Sequence, residues 1–434
     1  MLVSKLIKII TLFLLIANCS LNNKSNIWSS EKKTKIINDK IENIFKKKKN
    51  KIQEFNKDIR ISLKKNLTDE TQLINENYLG ISGYSGKLKK ISKYNFSKIK
   101  RFDEMNPELI FHKENIIFFD NKGSLLKFKK KSKPIWKKNY YSKTEKKLKP
   151  TLFMAVNNDT LIVADTVSKL YAVSIESGKL IWSKYNESPF NSQVKIYNDQ
   201  IFVLDSQNQL HCYSIKDGKK NWSIKTEESF INSDGKLSIV IKNDKLFFNN
   251  SFGDITAIDI NSGTLIWQIS TQNSLLFEDV LNLKTSKLVV SKNSILFSNN
   301  KNEFYSLDQE TGKINWKQMI NSNLTPVVGG SLIMTISLDG YLYYIDHETG
   351  NIVKIINIFK QLNKKIRKSI KPIGFAMTYS NLYMTTNNGR LITLENANGT
   401  IKSITKIDNN KISRPFIFDK SIFIIKDRSI IKYR

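Results

Sequence analysis

Cysteine is nearly absent from this chain of 434 residues, which holds only Cys19 and Cys212. A disulfide framework and Cys-rich zinc motifs are therefore excluded. Proline occurs 7 times and glycine 17 times, too seldom for a collagen-like or linker-rich chain. The three histidines, His112, His211 and His347, stand in separate stretches with no Cys or His at metal-ligand spacing, so no metal site is expected. His347, beside Glu348 in a turn, reads as solvated. No Gly-rich phosphate loop, serine nucleophile elbow or zincin helix occurs. Acidic residues are outnumbered, 39 against 70 Lys and Arg, for a formal net charge of +31. Such a surplus suits nucleic acid, an anionic membrane or an acidic partner. Lysine is spread evenly in the company of Asn and Ile, however, where a nucleic-acid footprint would gather on one element, so nucleic acid is not an expected partner.

Long apolar runs are missing as well. Ile9–Ile16 is far shorter than the roughly 20 residues needed to cross a bilayer. With Lys5 and Lys8 before it and Ala17-Asn18-Cys19 after it, the run reads as a signal peptide over residues 1–18. That ending resembles the bacterial lipobox, which implies that Cys19 becomes the first mature residue and carries lipid, an anchor without a membrane span. Ser20, where an Asp would imply retention at the inner membrane, implies the outer one. Cys212 then has no partner, and in the alternating run Leu210–Ile215 it reads as a small core residue. Residues 19–79 read as a basic tether: between 31 and 70 there are thirteen Lys/Arg against seven Asp/Glu, including Lys46–Lys49. Within it the spacing of Ile36, Ile37, Ile41, Ile44 and Phe45 allows a short helix.

What the chain does have, beyond about residue 80, is a repeat. Lys169–Trp182, Gln209–Trp222, Asp254–Trp267 and Glu303–Trp316 align on a turn glycine followed four residues later by tryptophan. Trp136, Trp182, Trp222, Trp267 and Trp316 recur at intervals of 46, 40, 45 and 49 residues, with turn glycines at Gly178, Gly218, Gly263 and Gly312. Two further copies keep Gly350 and Gly399 but place Lys354 and Ser403 in the tryptophan slot. Each period holds four short strands, the unit of a β-propeller blade. A polar residue stands four before each glycine (Ser174, Ser214, Asp259, Asp308, Asp346, Glu395), placed to accept hydrogen bonds from the turn's amides. Seven slots are visible. The eighth is split between Ser85–Ile91 near the start and Arg428–Arg434 at the end, so the expectation is an all-β, eight-bladed propeller over residues 80–434. Its N-terminal outer strand closes the ring on the C-terminal blade.

This repeat resembles that of pyrroloquinoline-quinone-type propellers. One branch contains quinoprotein alcohol dehydrogenases; the other is the B-lipoprotein family of the outer-membrane β-barrel assembly machinery, the Bam complex. The enzyme branch implies a vicinal Cys pair, calcium-binding Glu and Asn, and a catalytic Asp. No Cys-Cys pair exists, and Asp165, Asp205 and Asp339 fall where polar turns between strands are expected. No cofactor and no catalysis are therefore expected. Lipobox, tether and eight blades together match the second branch over the whole chain. That branch implies docking on the periplasmic repeat domains of the central barrel-inserting protein, with unfolded barrel chains handled by strand addition. The loops that correspond to the family's interface are Ser229–Asp234 and Asp279–Lys284, where neither the Leu-x-Leu-Arg stretch nor the aspartate pair is kept. Phe230, Ile231, Asn232, Asn282 and Leu283 are the candidate partner-binding residues, with Phe230 and Ile231 as apolar anchors. The alternatives are a quinone-dependent dehydrogenase-like propeller and a lipid-anchored propeller with a different envelope partner.

Overall fold

The computed structural model describes residues 52–63, 88–129, 132–226, 236–271, 283–367 and 369–434. From Glu54 onward they belong to one compact unit. Eight four-stranded antiparallel sheets form the blades of a ring. Blade 1 comprises Ile110–His112, Asn115–Phe119, Leu125–Phe128 and Trp136–Lys138. Blades 2 to 7 follow in sequence order, beginning with Leu152, Lys195, Ile239, Val289, Val327 and Pro372 and ending with Tyr185, Lys225, Ile269, Gln318, Asn357 and Lys406. Inner strands of neighbouring blades 1 to 5 touch one another, so these short first strands line the axis.

Burial follows position in the blade. The second and third strands of blade 2, Thr160–Asp165 and Lys169–Ser174, are buried almost throughout. Both of their faces are covered by adjacent blades, so a continuous apolar run suits them better than alternation. The fourth strand, Leu180–Tyr185, is the edge and is largely exposed. The core consequently sits between blades: Ile162 and Ala172 of blade 2 pack with Ile201 and Tyr213 of blade 3.

Each seam from blade 1 to blade 6 is keyed by a tryptophan. Trp182 stands opposite Ala172, Trp222 opposite Cys212, Trp267 opposite Ala257 and Trp316 opposite Ser306, each beside a register shift that kinks the outer strand. A large ring is thus paired with a small residue, which is the reason for Cys212. The indole lies on the turn glycine of the next blade: a Cβ on Gly218 would come within 2.6 Å of Trp182, and one on Gly350 within 2.5 Å of Trp316. Both glycines also have φ near +70°, at +69° and +73°, so space and backbone conformation exclude a side chain there. The indole N–H groups of Trp136, Trp182, Trp222, Trp267 and Trp316 donate to the carbonyls of Ile175, Ile215, Asn261, Gln309 and His347, at 2.9 to 3.2 Å. This overturns the expectation for His347, which is buried at 3% exposure beside Trp316.

The ring closes as the split eighth repeat requires. Lys90–Asn95 pairs antiparallel with Ser429–Tyr433, and Lys89 and Arg434 exchange two backbone hydrogen bonds of 2.9 Å. The N-terminal strand thereby supplies the fourth strand of a sheet whose other three come from Phe416–Tyr433. Closure removes a free sheet edge.

A second N-terminal stretch lies on the ring. Phe55 and Ile355 exchange backbone hydrogen bonds of 3.1 and 3.0 Å, extending blade 6 beyond its fourth strand, and Ile61 N–H donates to the Ala397 carbonyl of blade 7 at 2.9 Å. Ile61 is buried in the core of blades 6 and 7. Part of the stretch read as tether is therefore docked.

Candidate functional site

Antiparallel order sends the blade-to-blade connections and the turns between second and third strands to the same end of the ring. The polar residues of those turns hold the backbone. Asp165 Oδ1 accepts the amides of Val167 and Lys169 at 2.8 and 2.9 Å, and Asp205 Oδ1 those of Gln207 and Gln209 at 2.9 and 3.1 Å. Their second oxygens grip the connections and strands beside them. Tyr141, in the link from blade 1, donates to Asp165; His211 meets Asp205 at 2.8 Å and Asn186 donates to it at 3.2 Å. Burial raises the Asp165 pKa to about 6 against the pull of Tyr141 and the turn amides. Burial also opposes ionisation of Asp205, but His211 and the turn amides outweigh it and hold that carboxyl below its usual value. These aspartates therefore fix loops and present no free carboxylate to a substrate. Asp339 likewise sits in the turn between the second and third strands of blade 6.

At the opposite end Ser174, Asp259, Asp308 and Asp346 accept turn amides as expected, whereas in the turns of Ser214 and Glu395 the acceptors are Asp217 and Asn398. Asp308 Oδ1 accepts the amides of Glu310 and Thr311, and Asp346 Oδ1 those of Glu348 and Thr349. Both carboxyls are held below their usual pKa, with hydrogen bonds from Thr311 and Thr349 as the leading causes. Cys212 is buried, which lifts its thiol to about 11 and leaves it unreactive.

Of the candidate partner-binding residues, Phe230, Ile231, Asn232 and Asn282 lie outside the described residues, as does Cys19. Leu283 is buried at 8% exposure and turned away from solvent, so it does not present an apolar surface to a partner. Exposed apolar side chains occur instead on fourth strands: Leu180 and Ile181 on blade 2, Leu265 and Ile266 on blade 4, Ile314 on blade 5, with Met319 just beyond it. Sequence reading passed over them because the β-period there alternates around a tryptophan already assigned to the seam. Among the described residues no group of three or more His, Cys, Asp or Glu is placed to hold a metal ion, and no helix is long and apolar enough to cross a membrane.

Eight four-stranded blades, a tryptophan laid on the next blade's turn glycine across each of five seams, four of them from a Gly-x-x-x-Trp turn, and closure by an N-terminal strand define a propeller of the pyrroloquinoline-quinone-like repeat class. The chain belongs to the family described as outer membrane protein assembly factor BamB, whose model matches residues 103–356. The fold is similar to that of BamB from Moraxella catarrhalis, with a TM-score of 0.64 at 12% identity over 80% of this chain and 100% of that one. It is also similar to the computationally designed Ika8 protein (TM-score 0.58, 9% identity, 78% and 99% covered) and to the C-terminal WD40 domain of Sif2 (0.55, 11%, 82% and 99%). No protein of curated function matches the chain in sequence.

Proposed function

We propose that this protein is a non-catalytic, lipid-anchored scaffold of outer-membrane β-barrel assembly, held at the periplasmic face of the outer membrane and bound to the central barrel-inserting protein. The observation that carries this reading is the family match over residues 103–356, joined to a ring that closes with its N-terminal strand. The lipobox-like ending at Cys19 supports the anchor, and the basic residues that follow supply a spacer between lipid and ring. The exposed apolar side chains on the fourth strands of blades 2, 4 and 5 suit a protein partner, since edge strands offer both free backbone groups and alternating side chains.

The test is recovery of the full chain from membranes in mild detergent through a tag, with its stoichiometric companions identified by mass spectrometry. The barrel-inserting protein and its accessory lipoproteins are the expected companions, and Phe230→Ala with Ile231→Ala then maps the interface. Recovery alone, or with a cytochrome or dehydrogenase subunit, would refute the reading. Cys19→Ala is expected to abolish lipid attachment, which mass spectrometry of the mature N-terminal peptide checks.

A further inference from the structure

At the end of the ring that carries the blade-to-blade connections, charged side chains from four blades converge on the axis. Glu108 precedes the inner strand of blade 1, Lys236 and Lys287 lead into the inner strands of blades 4 and 5, and Arg414 leads into blade 8. Glu108 pairs with Lys287, which is half the ring away, and lies 3.7 Å from Lys236, so the ion pairs bridge the channel. Glu108 and Lys236 line a cavity there with Phe153, Gln193 and Lys195. Lys236 Nζ stands 5.2 Å from the centre of the Phe153 ring.

The cationic side chains are built in. Ser286 and Ser413 occupy equivalent places: each donates to the carbonyl of the following residue, Lys287 or Arg414, and accepts an amide from the second strand, of Ser298 or Ile425. Arg414 passes against blade 7 because Gly374 has no side chain; a Cβ there would sit 2.5 Å from the Arg414 Cβ. Its guanidinium lies 4.1 Å from the centre of the Phe416 ring and forms no ion pair among the described residues.

Among the described residues four cations, Lys195, Lys236, Lys287 and Arg414, thus stand with the carboxylate of Glu108 at this end of a narrow, half-buried passage. An unbalanced surplus there is unfavourable unless a cation loses its proton or an anion enters. The strain is visible in the groups themselves: burial, reinforced by the charge of Arg414, brings the Lys236 pKa down to about 7 and depresses that of Lys287. Guanidinium and ammonium donors around a common space are the chemistry that recognises phosphate and similar oxyanions.

We propose that the axial channel is a binding site for a small oxyanion of the phosphate class, held by Lys236, Lys287 and Arg414 with Glu108 as its internal competitor. Free phosphate and the phosphomonoester of a lipid headgroup share this chemistry.

The test is isothermal titration calorimetry on the full chain in detergent at fixed ionic strength, with inorganic phosphate in one arm and glycerol phosphate in the other. One saturable site is expected. Arg414→Gln should weaken it by about tenfold or more, the loss of a charge-assisted contact. Glu108→Gln should tighten it several-fold, a gain that a merely damaged fold would not produce. Binding of phosphate alone would assign the site to the free ion; binding of both would admit a headgroup. Absence of a saturable site up to about 10 mM, a range in which any useful ligand would also raise thermal stability, would overturn the proposal. Equal affinity in wild type and both variants would do so too, by placing the anion on the basic surface.

Discussion

Blades 1 to 5 and blade 6 solve the same packing problem with different parts. In the first five, the indole of the outer strand fills the wedge over the next turn and donates to a carbonyl two or three residues before its glycine. In blade 6 the slot holds Lys354, and the residue opposite is Tyr344 in place of the Ala, Cys or Ser of blades 2 to 5. The aromatic ring has moved across the strand pair: Tyr344 donates to the Asn396 carbonyl, three residues before Gly399, at 2.9 Å. Ile356 covers Gly399, where a Cβ would meet it at 2.2 Å. The Lys354 ammonium, buried in the space an indole would fill, donates to Ile59 at 2.6 Å and Ala397 at 3.4 Å. What the seam requires is volume on the glycine and a donor for the turn carbonyl. A single rigid side chain supplies both in five places. In the sixth they are divided among three residues and a strap drawn from about 300 positions earlier in the chain.

The largest loss is expected at Trp316, the most buried of the five tryptophans at 8% exposure. Trp316→Ala is expected to lower unfolding stability by about 4 kcal/mol, the usual loss for a large buried aromatic. Chemical denaturation checks it. A loss no larger than that of a surface substitution would show that the ring is held by strand pairing alone and that the indole key is incidental.

Those tryptophans and their glycines were legible in the sequence because the constraint is local and severe: positive φ and contact with a ring leave only glycine. The closing strand was legible because two half-repeats at the chain ends sum to one. Blade 6 was not. A linear alignment registers Lys354 as a lost tryptophan, and only cross-strand register shows Tyr344 taking over its ring and donor. The strap left a faint trace, the alternation of Ile61 and Leu63 in a polar stretch, but which blade it meets is a matter of three-dimensional closure. Glu108, Lys236, Lys287 and Arg414 share no local spacing at all, so a one-dimensional reading sees four ordinary charges in a chain rich in them.

The first seam carries a further lock at the ring's other end, where Tyr141 donates to Asp165. Asp165 has its pKa raised from 3.8 to about 6, so the folded state holds the proton more tightly than the unfolded one. Its contribution is complete below about pH 4 and is lost as pH rises through 6. Asp165→Asn, neutral throughout and able to keep the two turn amides, should remove that dependence. Relative to wild type its stability should rise by about 3 kcal/mol between pH 3 and pH 7.5, because each tenfold difference in proton affinity between folded and unfolded chain is worth about 1.4 kcal/mol. Parallel pH dependence of the two proteins would mean that the carboxyl is ionised in the fold.

The strap seam is expected to yield more locally. Ile61→Ala removes an aliphatic side chain buried at 7% exposure and should lower stability by about 2 kcal/mol. Hydrogen exchange separates the two kinds of seam: the amides of Phe55, Ile61 and Ile355 should lose protection, while that of Gly218, in the turn beneath Trp182, keeps it. Loss of protection at both would show that the seams unfold as one unit.

The smallest effect is the most discriminating, because it converts one seam into the other. Lys354→Trp alone adds a ring opposite Tyr344 and overpacks the wedge, at an expected loss of about 1–3 kcal/mol. Tyr344→Ala alone removes the donor to Asn396 and opens a cavity. Together they recreate the Ala–Trp pair of blades 2 and 4, with an indole N–H aimed at the turn carbonyls that Tyr344 and Lys354 now satisfy. The double variant should therefore be more stable than the sum of the single losses by about 1 kcal/mol, a coupling that a double-mutant cycle resolves between residues in contact. Strict additivity would mean that the two side chains do not exchange roles. The resemblance between Tyr344–Lys354 and the small residue–tryptophan pairs would then rest on shared position in the blade alone.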